Sequence, residues 1–119
     1  MSDDEADGPD PVVQLLRGTL HVLILRTLAD GSQHGYGVAT RIEERTGGVV
    51  QIEDGALYQA LHRMAARGWV ESEWGHAETG KRARFYRLTA EGRRRLKLET
   101  KSWTRYVAAV ARALEPGLP

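Results

Sequence analysis

Three stretches of helical apolar periodicity, two β-rich runs around a basic loop and a closing helix of about 25 residues predict a mainly α chain with a small β-hairpin. In that order they make a winged helix-turn-helix followed by a long C-terminal dimerisation helix. A length of 119 residues leaves room for one modest core and no separate catalytic or sensor domain. The predicted division is an acidic tail over 1–11, the winged domain over 12–89, the dimerisation helix over 90–115 and a short tail over 116–119.

The first helix is expected from near Val12, where Leu16, Leu20, Leu23, Ile24 and Leu28 recur at helical spacing and Val22 and Leu25 fill adjacent faces. Apolar on more than one side, it should be covered on two. Asp30-Gly31 should end it through a left-handed glycine. Ser32 or His34 can cap the second helix, about Gly35 to Thr46, whose buried edge is Val38, Ala39 and Ile42. After the β-branched connector Val49 to Ile52, Glu53 or Asp54 can accept the free amides of a third helix running to about Arg67. Its buried positions are read as Leu57, Leu61, Met64 and Ala65. Gly68 ends it, and strands Trp69 to Trp74 and Arg84 to Thr89 follow, joined by Gly75 to Arg82. Thr89 then caps a helix to Leu114, roughly 37 Å long at 1.5 Å per residue. That is too long for the rest of the chain to cover.

Charge divides sharply along the chain. Residues 1–11 hold Asp3, Asp4, Glu5, Asp7 and Asp10 and no base, so removing those five charges from the net +1 leaves +6 on the remainder. Residues 81–105 carry most of the excess, a pattern that fits either a solvated helix face or a polyanion footprint. The absence of cysteine excludes disulfides and thiolate metal sites. His21, His34, His62 and His76 show no metal-ligand spacing, and no cofactor is expected. The run Val12 to Ala29 is broken by Arg17, His21 and Arg26, a poor membrane span. No signal peptide is read at the start, and a cytoplasmic location is expected. No glycine loop, paired-carboxylate motif or HExxH string accompanies the few serines, so no enzyme is expected.

The outward face of the third helix presents Gly55 and Ala56 at its start, then Gln59, His62 and Arg63, flanked by Tyr58. Such a helix fits the major groove with its first turns at base edges, while a hairpin carrying Lys81, Arg82 and Arg84 can enter the adjacent minor groove. The expected partner is double-stranded DNA. A winged-helix adaptor that binds protein instead is the alternative, because fold alone does not fix function. On the last helix Leu96, Thr100, Trp103, Val107, Val110 and Leu114 follow steps of 4, 3, 4, 3 and 4, a seam that wants a second copy of the chain. Leu16 and Leu20 of the first helix are expected to join that homodimer interface.

The segments HGYG at 34–37, GALYQALHRMAARGWV at 55–70 and RFYRLTAEGRRRL at 84–96 resemble the PadR family of transcriptional regulators, over roughly Leu15 to Leu114. The resemblance implies a homodimeric, usually repressing regulator in which Gly55–Arg67 is the recognition helix, Tyr36 and Tyr58 lie at the DNA face and the last helix dimerises. One helix after the wing is like the family's short subgroup. Glu53-Asp54 departs from the Ser or Thr followed by Pro that is more usual there. By similarity to drug-responsive members, Trp103 near the dimer axis could stack on a flat aromatic effector; plain interface packing by a large ring is the other reading.

Overall fold

A computed structural model describes residues 15, 16 and 18–117 of the chain. The predicted acidic tail and residues 12–14 lie outside them. Helix α1 spans Leu20–Leu28, shorter than the single helix expected from Val12. Gly18 and Thr19 form a turn, with the Thr19 N–H donating to the Leu16 carbonyl at 3.0 Å. Leu20, Ile24, Leu25 and Leu28 are all buried, as expected of a helix covered on more than one side. Gly31 follows at φ 144°, a backbone open to glycine but outside the left-handed helical region predicted for it.

A two-residue strand, β1 (Gln33–His34), precedes helix α2 (Gly35–Arg45). Of the two predicted caps the structure selects His34, whose Nδ1 accepts from the Gly37 N–H at 3.0 Å. Val38 and Ile42 are buried, and Ala39 packs at the edge of the core. Helix α3 covers Asp54–Ala66. Its buried stripe is Leu57, Ala60, Leu61 and Met64, so Ala60 takes the place expected of Ala65, which is exposed. The expected side-chain cap is also missing: Glu53 is the N-cap residue but makes no capping hydrogen bond. The far end closes as a Schellman motif. Gly68 sits at φ 79°, its N–H reaches the Ala65 carbonyl at 3.0 Å, and the Trp69 N–H reaches Met64 at 2.9 Å.

Strands β2 (Val70–His76) and β3 (Arg82–Leu88) form the antiparallel hairpin, and β1 adds a third strand on the open edge of β3 in the order β1-β3-β2. Both hairpin strands run further out than predicted. The tip is therefore only 77–81, turned by Gly80 at φ 87° and closed by the Gly80 N–H on the Ala77 carbonyl at 2.8 Å. Val70 and Leu88 face each other across the base of the hairpin and enter the core.

Helix α4 runs Ala90–Leu114 and leaves the body of the molecule. The radius of gyration is 16.8 Å and the longest axis 58 Å, against about 13 Å of radius for a compact domain near this size. Its first turn is anchored tightly. Thr89 Oγ1 accepts from the Gly92 N–H at 2.9 Å and donates to the Gly68 and Trp69 carbonyls at 2.6 and 3.1 Å, while the Thr89 N–H also donates to Trp69. Gly92 lies so close to the Trp69 carbonyl that a Cβ there would overlap it. Two turns further on, Glu99 is only 8% exposed, with His21 Nε2 and Arg95 Nε each 2.6 Å from a different carboxylate oxygen. A carboxylate so buried must be paired, and this one ties α4 to α1. Arg95 also lies over the Trp69 ring at 5.0 Å, and Arg94 pairs with Glu91, so two of the three cations that open α4 against its dipole have partners.

Leu20 and Leu96, expected at a dimer interface, are occupied within the chain. Leu20 belongs to the core, and Leu96 and Leu16 pack against it. The outer half of α4 stays bare: Val107 is 55% and Leu114 77% exposed, with Trp103 and Val110 partly covered.

Thr89→Ala is expected to lower the free energy of unfolding by about 1 kcal/mol. Gly92→Ala should cost more, roughly 1–3 kcal/mol, because the added methyl meets backbone. Thermal unfolding of both variants checks this, and an unchanged midpoint for Gly92→Ala would rule out the close approach.

Candidate nucleic-acid interface

Burying one stripe of α3 leaves the opposite face in solvent. Gly55, Ala56, Gln59, His62 and Arg63 are all exposed, and Tyr58 is 46% exposed beside them. Nothing lies within 4 Å of a Cβ built on Gly55, so the start of the helix is open to close approach by a large surface. Glu53 and Asp54 stand at the same end, where they complement the helix dipole.

The HGYG segment joins this helix to the wing. His34 caps α2, lies edge-on to Phe85 of β3 at 5.3 Å and stacks near Tyr36 at 6.4 Å. Gly35 is bare because Tyr58 occupies the space a Cβ would need, and Gly37 is bare because the Gln33 side chain does. Tyr36, in the first turn of α2, is 73% exposed. Through β1 pairing with β3, at Gln33 to Tyr86 and His34 to Phe85, the first turn of α2 is held against the inner half of the wing. The structure thus brings Tyr36, Tyr58 and the base of the wing together around one glycine pair. Burial pushes the Tyr86 phenol up from its ordinary value, the Arg84 charge pulls it back and Tyr58 adds to the rise, so it remains a neutral hydroxyl at physiological pH.

Alternation along the hairpin gives the wing two chemically different faces. One carries Val70, Ser72, Trp74 and His76 opposite Leu88, Tyr86, Arg84 and Arg82. Its inner end is core and its outer end is basic. The other carries Glu71 and Glu73 with Arg87, which lies 2.6 Å from Glu71 and 4.0 Å from Glu73. The Glu71 hydrogen bond, first, and both carboxylate charges raise the Arg87 pKa. The charge of Arg87 is thus taken up on its own face, whereas Lys81, Arg82 and Arg84 enter no ion pair among the described residues. Arg84 stands on β3 as predicted, and Arg82, expected on the loop, joins it there, their guanidinium carbons 5.3 and 4.3 Å from the centre of the Trp74 ring, which leaves only Lys81 at the tip. Trp74, 54% exposed, was not singled out from the sequence. Its parity with Val70 and Ser72 could have marked its face, but its pairing with Arg84 depends on the hairpin register.

Residues 24–98 match the model of the transcriptional regulator PadR-like family. The chain belongs to that family. A transcriptional regulator from Clostridium thermocellum has a similar structure, with a TM-score of 0.77 and 28% identity, covering 86% of this chain and 99% of that one. A PadR family transcriptional regulator from Eggerthella lenta is 30% identical at a TM-score of 0.74, over 89% of this chain and 90% of that one. In sequence the chain is also 29% identical over 89 residues to an uncharacterized protein, X, of Lysinibacillus sphaericus, covering 75% of this chain and 82% of the relative. Family membership gives DNA-binding regulation as the class of function, and the class is not an enzymatic one. No helix among the described residues is long and apolar enough to cross a membrane.

Proposed function

We propose that the chain is a repressor that binds a palindromic operator as a homodimer, with α3 in the major groove and the wing in the adjacent minor groove. The observation that carries this reading is the continuity of exposed chemistry from α3 to the wing. Gln59, His62 and Arg63 stand bare on one side of α3, Tyr58 and Tyr36 follow, and the unpaired face of β2 and β3 ends in Arg82, Arg84 and Lys81. Gln59 suits an adenine edge, Arg63 a phosphate or guanine, and the wing bases phosphate. Gly55 and Ala56 leave the first turn of the helix face open to base edges. Glu53 and Asp54 repel phosphate at that end, which favours contact through the helix face over contact through its tip.

The homodimer is supported by the outer half of α4. A helix that projects from its own domain with Trp103, Val107, Val110 and Leu114 along one side has apolar surface that the described residues leave uncovered and that a second copy of the chain would cover. Two chains joined there place two recognition helices on one side of the duplex, where half-sites repeat at about 34 Å. Repression follows from occupancy, since a dimer across both half-sites excludes polymerase from the same DNA. Trp103 stacks edge-on with Tyr106 at 5.6 Å. A shallow groove on α4 is lined by Ser102, Arg105, Tyr106, Ala108, Ala109 and Arg112 and not by Trp103. A flat aromatic effector at Trp103 would therefore need a partner chain to enclose it, and interface packing is the reading we favour.

Gln59→Ala should relax base preference at one position per half-site by about 1–3 kcal/mol. Replacing Lys81, Arg82 and Arg84 together by Gln should weaken all sequences alike and reduce the log-log salt slope by up to about 0.9 per lost phosphate contact. Duplex binding measured across salt concentrations separates the two, and a parent protein indifferent to DNA at low salt would turn the reading toward a protein-binding adaptor.

Sedimentation is expected to show a dimer at micromolar concentration. Trp103→Ala should raise its dissociation constant at least about thirtyfold, the scale of a 2 kcal/mol interface anchor. A monomeric parent would contradict the proposal.

A further inference from the structure

We infer that Trp74 is the positioning residue of the wing: its exposed ring holds the Arg82 and Arg84 guanidinium groups in the orientation in which they meet DNA phosphates. The inference rests on the DNA-binding reading above. Trp74 is a large apolar side chain left 54% exposed at the polar end of a hairpin, where core packing does not account for it. Arg84 faces it directly across the strands and Arg82 stands diagonally, one pair nearer the tip. Their guanidinium carbons lie 5.3 and 4.3 Å from the ring centre. Both distances are within the range in which a cation is held by the negative face of an aromatic ring.

Stacking engages the flat face of a guanidinium and leaves its edge, where all five N–H donors lie, free for an anion. Arg84 spends only Nε, which donates to Ser72 Oγ at 2.9 Å, so its two terminal nitrogens remain open. The Arg82 side chain makes no hydrogen bond or ion pair among the described residues. The contrast is Arg87 on the opposite face, whose guanidinium is taken by Glu71 and Glu73. Free arginines carry rotamer entropy that docking would otherwise have to remove. A ring that restricts them beforehand raises affinity without adding charge. Trp74 thus acts through Arg82 and Arg84 and is distinct from the phosphate contacts themselves.

The test is binding of a random-sequence duplex at low salt by the parent, Trp74→Ala, Trp74→Phe and Trp74→Leu, each also combined with Arg82→Gln and Arg84→Gln, with thermal unfolding measured alongside. Trp74→Ala is expected to weaken binding roughly five- to thirtyfold, the combined scale of two exposed cation–π contacts, with unfolding still cooperative and its midpoint lowered only modestly. Phe should restore most of that loss and Leu little of it. In the Arg82→Gln, Arg84→Gln background Trp74→Ala should have no further effect. Leu restoring binding as well as Phe, or an undiminished loss in the arginine-free background, would overturn the inference by making Trp74 a packing group or a direct DNA contact. Parent-like binding by both Trp74→Ala and Trp74→Leu would overturn it while leaving the DNA-binding reading intact. A parent that ignores the duplex would remove both.

Discussion

The corner at Thr89 is the constraint on which the rest of the molecule depends. There the end of α3, the start of β2, the end of β3 and the start of α4 meet around two backbone carbonyls, those of Gly68 and Trp69. Thr89 answers both with one hydroxyl and caps α4 with the same oxygen. Gly92 lets the helix pass close to the Trp69 carbonyl. Trp69 then fills the corner beneath, 8% exposed, with Arg67 and Arg95 over its ring and His21 beside it. Because α3, the wing and α4 leave from the same few residues, their relative directions are set together. A helix anchored this way can transmit the geometry of a dimer axis to a recognition helix without a further domain.

Binding chemistry is arranged around that corner by subtraction as much as by addition. At Gly35 and Gly37 the Tyr58 and Gln33 side chains occupy the space a Cβ would take. Placing Arg87 between two glutamates silences one face of the wing, so the positive charge of Arg82 and Arg84 belongs to the other. A chain with a net charge of only +1 can therefore present a basic surface locally. The same economy appears at Glu99, an acid among bases in the sequence, which the fold buries between His21 and Arg95 to join α4 to α1.

Most of the fold was legible in the sequence because its elements are long and periodic. The stripes of α1 and α3, the cap at Thr89 and the stop at Gly68 each depend on neighbours within a few residues. What escaped depends on tertiary partners. Strand β1 is two residues with no β-preference, Gln33 and His34, and is a strand only because the edge of β3 was open. Ala60 replaces Ala65 in the core because α1 and α2 lie against that side of the helix, and two alanines on opposite flanks of the same apolar stripe look alike in sequence. The interior role of Leu96 was missed because it is one apolar residue on a helix whose seam continues outward, whereas Leu20 was already expected on a covered helix. At the candidate site, the face of α3 was readable from periodicity. Trp74 was not, since its partners Arg82 and Arg84 become neighbours only through hairpin register.

In the proposed function, two copies of this chain, joined through α4, read DNA with α3. Selection of bound duplexes from a random pool by the full chain tests it most directly. The account predicts enrichment of an inverted repeat whose half-site centres are spaced by about one helical turn or a multiple of it. Enrichment of an unrepeated site would contradict the two-fold arrangement, and failure to enrich any sequence would contradict DNA reading itself.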